Sequence, residues 1–370
     1  MKLTLKKVIL LLLLAVLAGF SVFIAANRPY RWLLIYSLRD MTHPETFPEN
    51  TNTLSVEEMR SDYRLEYANA ADPIPLRSFI GNTQNIHPKV LYIEEGFGGH
   101  QFWMAYTPYP WYIDRFENPC IAYSDDGYTW KNIGGNPVDD PKGSGYDSDT
   151  HLVYRKDTGL LECWYRYVTD TSKRPVRELI CRRTSSDGIR WSDEEVMIDN
   201  STGDYVEFVS PALIWDTDHY DIWVIQIVED RNIMVRYRMN EDKTIQRIGE
   251  ISLKYISDTG EAFKPWHIDV IRDDEQYIFL IMCKQLEGKK QWPLFITDTV
   301  DLENYSSPVM VLHGSENGWD HDIYRSSIVK VKDEYRIYYS AMSAGGKHGT
   351  GITVSDHPGD FIGVRSYTGE

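Results

Sequence analysis

Acid–base chemistry in this sequence would rest on three carboxylates, Asp149, Glu207 and Asp269, and three imidazoles, His87, His151 and His267. Carboxyl groups crowded into one site push one pKa up and leave another ionised. Cleavage of a glycosidic bond needs that division, with a protonated and an ionised carboxyl astride the bond. Imidazoles beside them could bind hydroxyls, shuttle protons or hold a metal, although their spacing matches no metal motif. Arg166 and Arg325 could grip a carboxylate or phosphate, or equally close a buried ion pair. Glu117 and the aromatic run from Tyr106 to Tyr112, which holds Tyr109 and Trp111, could wall a sugar ring by stacking or simply pack a proline-rich crossover. No G-x-S-x-G elbow, H-E-x-x-H pair or P-loop occurs, so serine-hydrolase, zinc-protease and nucleotide-dependent kinase chemistry lack support.

These residues lie far apart in the chain, and a repeat is what can gather them. Five segments open on a polar residue and continue as β-formers: His87–Tyr92, Asp149–Tyr154, Ser210–Trp215, His267–Arg272 and Tyr324–Val329. Their first positions recur about every sixty residues, and a turn and a second aromatic strand follow each. Ser124–Trp130 and Ser185–Trp191 both fit S-x-D-G-x-x-W, and Thr297–Tyr305 reads as a degenerate third copy. In such a hairpin the Asp carboxylate accepts backbone N–H bonds, Gly takes a positive φ and Trp packs beneath, which makes Asp126 and Asp187 structural. Evenly spaced units of three or four strands predict an all-β fold, a five-bladed β-propeller over residues 83–370 with blades set radially about a channel. A sandwich would not explain the spacing. In a propeller the strand-start residues converge on the axis, where Asp149, Glu207, Asp269 and the imidazoles can meet.

On these segments and hairpins the chain resembles the five-bladed propeller superfamily that includes glycoside hydrolase families 43 and 32, over roughly residues 83–366. The resemblance implies an axial pocket with a base from the first blade, a pKa-modulating Asp from the second and a Glu acid from the third. Asp149 matches the second position, and Glu207 stands about two residues ahead of the third. Where the family has Asp followed by Pro, this chain has His87-Pro88, so Asp269 or Glu117 would supply the remaining carboxylate. The implied activity is hydrolysis of a cell-surface or environmental polysaccharide, with Glu207 as acid and Asp149 as modulator or base. His87, Tyr109, Trp111, Glu117, His151, Arg166, His267, Tyr324 and Arg325 would bind the carbohydrate. A glycan-binding or polysaccharide-assembly propeller that has lost the first-blade acid is the alternative, and a lyase or transferase using His and Tyr324 as proton carriers is a third. No cofactor is expected beyond the channel calcium that several propellers of the superfamily hold.

Composition agrees with a β-rich, carbohydrate-facing protein: of 370 residues 42% are hydrophobic, with 25 Tyr and 11 Trp. The formal charge is −16, and the first 26 residues carry three lysines and no acid, so the remainder is more acidic still. That balance argues against a nucleic-acid partner, which needs a basic face. Lys6-Lys7 precede an uncharged apolar run from Val8 to Ala26, long enough to span a bilayer and without a small-x-small exit, which favours an uncleaved anchor over a signal peptide. The lysines would then lie in the cytoplasm and the propeller outside, behind a stalk and lead-in over 28–82. Cys120, Cys163, Cys181 and Cys283 are too few for a disulfide scaffold; Cys163 and Cys181 could pair, and four buried thiols is the favoured reading.

Overall fold

The computed structural model describes residues 5–48, 53–140, 143–169, 172, 176–199, 208–229, 231–285 and 291–365. Three helices lead the chain: α1 (Leu5–Ala26), α2 (Arg28–Thr42) and α3 (Val56–Ser61). Among the described residues twenty-one strands follow as five consecutive antiparallel sheets. Blade 1 is β1 (Asn85–Phe97), β2 (His100–Pro108), β3 (Cys120–Ser124) and β4 (Lys131–Asn132). Blade 2 is β5 (Tyr146–Arg155), β6 (Leu160–Val168), β7 (Glu178–Ser185) and β8 (Glu195–Asp199). Blade 3 is β9 (Val209–Asp216), β10 (His219–Val228), β11 (Arg231–Asn240) and β12 (Ile245–Ile251). Blade 4 gains a leading strand: β13 (Tyr255–Ile256), β14 (Ala262–Asp273), β15 (Gln276–Gln285), β16 (Leu294–Thr299) and β17 (Val309–Leu312). Blade 5 is β18 (Asp322–Val331), β19 (Glu334–Met342), β20 (His348–Ser355) and β21 (Ile362–Gly363). The expected all-β five-bladed propeller is the fold.

The second strand of each blade lies between two neighbouring blades, so both its faces are buried and it reads as an unbroken apolar run, as in Ile278-Phe-Leu-Ile-Met282. Each hydrophobic cluster accordingly fills a seam between blades rather than one blade's interior. Phe279 and Ile281 of blade 4 meet Trp223 and Ile225 of blade 3, and Trp103 of blade 1 meets Tyr165 and Leu161 of blade 2. The lead-in helps close the ring. Ile74 and Leu76 join the blade 5–blade 1 seam, while the Asp72 and Ile74 N–H groups donate to Val364 and Thr350 of blade 5.

The outer hairpins form as their residue types require. Asp126 Oδ1 accepts the Tyr128 and Thr129 N–H groups, Asp187 Oδ1 those of Ile189 and Arg190, and Asp301 Oδ1 those of Glu303 and Asn304. Gly188 sits at φ +76 directly over the Trp103 indole, where a Cβ would collide with the ring. Gly159 has a similar φ of +67 in open space. Gly188→Ala should therefore cost about 2–4 kcal/mol, strain plus overpacking, against about 1 kcal/mol for Gly159→Ala. Urea unfolding of the two variants side by side measures the difference, and equal costs would mean that Trp103 can move aside.

The segment expected as a stalk is laid on the propeller. Tyr30 of α2 packs edge-on to Phe116 at 5.2 Å, Tyr36 stacks on Trp111 at 5.7 Å, and Asp40 pairs with Lys347 at 2.8 Å. Among the described residues no single helix is long and apolar enough to cross a membrane, whereas Leu12–Ala26 and Arg28–Thr42, bent by 107°, pass that test together. All four cysteines are buried free thiols. Cys163 stands opposite Arg183 and Cys181 opposite Tyr165, so the two are not cross-strand partners.

Candidate functional site

Every innermost strand is interrupted near its start, and this places one polar residue per blade on the axis. The β-ladders slip between Ile86 and Lys89, Ser148 and His151, Pro265 and His267, and Ile323 and Ser326, and the β9–β10 ladder slips opposite Trp223 and Ile225. Such bulges re-aim side chains. His87, Asp149 and Ser210 hold left-handed φ values of 54°, 56° and 52°. Each costs on the order of 1 kcal/mol or more and persists only where surrounding packing over-determines it.

Asp149 is the hub. Its Oδ2 lies 2.9 Å from Arg166 Nε; its Oδ1 lies 2.5 Å from Ser210 Oγ, 3.5 Å from His87 Nε2 and 3.7 Å from Arg325 Nη1. Burial alone would raise this carboxyl, but Arg166, His87 and Arg325 outweigh it and hold the pKa far below the usual carboxylate range. Glu117, whose Oε2 stands 4.0 Å from His87 Nδ1, is pushed well up by burial and by the Asp149 and Asp114 charges. The two carboxyls are driven in opposite directions, Asp149 toward its ionised form and Glu117 toward its neutral one.

Hydrogen-bond accounting fixes the imidazoles. Ser210 has one hydroxyl proton, and the ionised Asp149 can only accept it. The 2.5 Å contact between Ser210 Oγ and His267 Nδ1 must then be a bond that His267 donates, which leaves Nε2 with a bare lone pair. That Nε2 is buried without a hydrogen-bond partner. His87 is the reverse: its Nδ1 accepts the Asp149 N–H at 3.3 Å, so its Nε2 carries the proton. His87 Nε2 and Arg325 Nη1 are also buried without hydrogen-bond partners. Burial lowers both imidazoles, His87 to about 3 and His267 well below 6.5, so both are neutral at pH 7. Tyr324 lies between them, its ring 4.5 Å from His267 and 5.4 Å from His87, and it is the partly exposed member of the group. The arrangement offers a base (His267 Nε2), three donors (His87 Nε2–H, Arg325 and the Tyr324 hydroxyl) and a neutral acid (Glu117).

Several expected site residues are engaged elsewhere. Asp269 accepts Lys89 Nζ at 2.6 Å on Oδ1 and the Ile328 N–H at 2.9 Å on Oδ2, so it forms a wall ion pair rather than the third carboxylate. His151 is fully buried, with Nε2 on the Leu213 carbonyl and Nδ1 3.5 Å from Arg325 Nη2; it positions that arginine instead of facing ligand. Trp111 offers a ring face to Tyr36 of α2, and Tyr109 donates to Asp114 and packs on His348, so neither forms the stacking wall at the axis. Glu207 lies outside the described residues. Ser210 is the residue that sequence reasoning missed, although it occupies the repeat position of Asp149 and His267.

A channel calcium does not fit these side chains, because Lys89 and Arg325 already bring positive charge to the axial carboxylates and a cation there would be repelled. Asp216, His219 and Asp221, whose donor atoms cluster on the β9–β10 hairpin, are likewise neutralised: Arg236 grips Asp221 with three bonds and Arg272 meets Asp216. A cavity of about 590 Å³ opens on the other face of the propeller, lined by the far ends of the innermost strands and away from the bulges.

No protein-family model matches the chain. A curated relative, the A type blood N-acetyl-alpha-D-galactosamine deacetylase of Flavonifractor plautii, is 23% identical over 316 residues, 70% of this chain and 40% of the relative, so the chain spans well under half of that protein's length. The crystal structure of an N-acetylgalactosamine deacetylase from F. plautii in complex with blood group B trisaccharide superposes with a TM-score of 0.66 at 19% identity, over 77% of this chain and 94% of that one. A levansucrase mutant from B. megaterium superposes with a TM-score of 0.53 at 13% identity, over 80% and 88%. These likenesses bear out the resemblance to the five-bladed propellers of glycoside hydrolase families 43 and 32 as a statement about fold.

Proposed function

We propose that the chain is a hydrolase acting on a carbohydrate at the axial site, and that its reaction is removal of an N-acyl group from an amino sugar. The carrying observation is the Asp149–Ser210–His267 chain, which ends in an imidazole lone pair without a hydrogen-bond partner, with His87 Nε2 and Arg325 Nη1, likewise without hydrogen-bond partners, gathered about the same Asp149 carboxylate. His267 Nε2 takes a proton from water as the water oxygen bonds to the acyl carbon. The carbonyl oxygen gathers negative charge and is held by His87 Nε2–H and Arg325, the usual electrostatic contribution to such a step. The C–N bond then breaks and the amine leaves with a proton from the imidazolium or from neutral Glu117. The relative from F. plautii, an N-acetyl-alpha-D-galactosamine deacetylase, supports this choice.

Glycosidic hydrolysis is the second reading, favoured by the opposed shifts of two carboxyls, Asp149 driven toward its ionised form by its cations and Glu117 toward its neutral form by burial, the kind of pairing that reaction uses. Against it, both Asp149 oxygens are bonded to Arg166 and Ser210, which leaves a poor nucleophile. Incubation with N-acetylated and non-acetylated oligosaccharides separates the two. Acetate release at unchanged chain length supports deacylation, new reducing ends support glycosidic cleavage, and neither product would return the chain to a binding role.

The propeller would work outside the cytoplasm, held by the apolar helix that ends at Ala26. Leu12, Val16 and Phe20 on α1 are exposed, as a lipid-facing helix requires. The full chain is expected to stay with membranes through an alkaline wash, and protease added to intact cells should degrade the propeller. Recovery in the soluble fraction, or protection from protease, would overturn this location.

A further inference from the structure

Blade 4 spends stability on a like-charge pair beside the axial site. Lys264 and Lys284 are direct cross-strand partners in the β14–β15 ladder, an arrangement that destabilises a sheet. Neither has a carboxylate partner among the described residues. Lys284 Nζ lies 3.2 Å from the Trp266 ring centroid and 4.7 Å from that of Trp292. Both indoles and Lys284 are partly exposed, and both indoles border the site: Trp266 is 6.1 Å from His267 and Trp292 is 6.5 Å from Tyr324, ring to ring.

We infer that Lys264, Lys284, Trp266 and Trp292 form a subsite for an anionic sugar unit next to the bond that is cleaved. Lys284 covers one face of Trp266, the exposed remainder of the two indoles offers apolar surface for a ring, and the two ammonium groups lack a carboxylate that a negative substituent, a uronate or a phosphate ester, would supply. Resting on the axial site as a carbohydrate site, this assigns the class of substrate. It also gives the lysine pair a reason, since a bound anion relieves the repulsion that the free protein carries.

Burial and the facing Lys264 lower Lys284 to about 8, and the charged and titratable groups on the elements packed around it include His267, neutral at working pH, Tyr324, raised by burial, Glu261, which accepts from Gln285 Nε2, and Asp322, which accepts the Gln291 N–H. Charge on Lys284 is thus complete below about pH 7 and lost as pH rises through about 8. The test is calorimetric titration of the full chain with an unsulfated chondroitin tetrasaccharide, a mannose 6-phosphate disaccharide and neutral chitotetraose. At least one anionic probe should bind about tenfold tighter than chitotetraose, and which one does identifies the substituent. Lys284→Met should erase that preference, Lys284→Arg should keep it to pH 10, and in the native chain it should fade between pH 7 and 9. Trp292→Ala should weaken all probes that bind. Equal binding of neutral and anionic probes, unchanged in Lys284→Met, overturns the subsite and leaves the hydrolase reading standing. Binding of no probe, with no product from any oligosaccharide, overturns both.

Discussion

His267→Gln should lower the hydrolytic rate by about 10²–10⁴-fold while leaving the fold intact, the range that loss of a positioned general base produces. Gln can still donate to Ser210 but offers no basic lone pair. The pH profile carries a second signature. A base works only when unprotonated, and burial holds His267 well below its ordinary 6.5. The native rate should therefore stay flat from about pH 8 down through 6, where an unperturbed histidine would already lose activity. Ser210→Ala tests the chain behind the base. It removes the acceptor for His267 Nδ1–H and frees the tautomer, so kcat should fall about tenfold or more with KM little changed. An acid limb centred near 6.5, or a His267→Gln enzyme of native rate, would remove His267 from the chemistry.

What could be read in the sequence is what repeats. His87, Asp149, Ser210, His267 and Tyr324 stand at one position of five units because each innermost strand needs a bulge there, and that spacing was enough for the fold. The hairpin aspartates were equally legible, since Asp126 and Asp187 bond groups two and three residues away. Residues whose fate depends on distant partners were not. Asp269 is spent on Lys89, 180 positions away; His151 is spent on Leu213 and Arg325; and Trp111 is covered by a helix assigned to a stalk. Ser210 went unremarked because serine before proline reads as a turn residue. Only the ionised Asp149 beside it turns that hydroxyl into a relay.

Asp149→Asn should be the most destabilising single change among the site residues, by about 3–5 kcal/mol, because it leaves buried cations without their counter-charge. The side chains of Asp149 and Arg325 are each 2% exposed, and that of Arg166 is 17%. Asparagine tolerates the left-handed φ of 56° about as well as aspartate, so the loss reports charge rather than backbone strain. The sign with pH follows from the depressed pKa. Asp149 is ionised in the folded protein to far lower pH than in the unfolded chain, where its value is about 3.9. Its stabilisation is complete above about pH 5 and is lost as pH falls below about 4 toward the folded value. Urea unfolding at pH 7 and pH 3 should show the gap between native and Asp149→Asn protein narrowing in acid. Asp126→Asn, on an exposed hairpin, should cost only about 1 kcal/mol. A gap of under about 1 kcal/mol for Asp149→Asn at pH 7 would mean that water already compensates the guanidiniums. The site would then be wet and open rather than preorganised, and the donors credited to His87 and Arg325 would be spent on solvent before any substrate arrived.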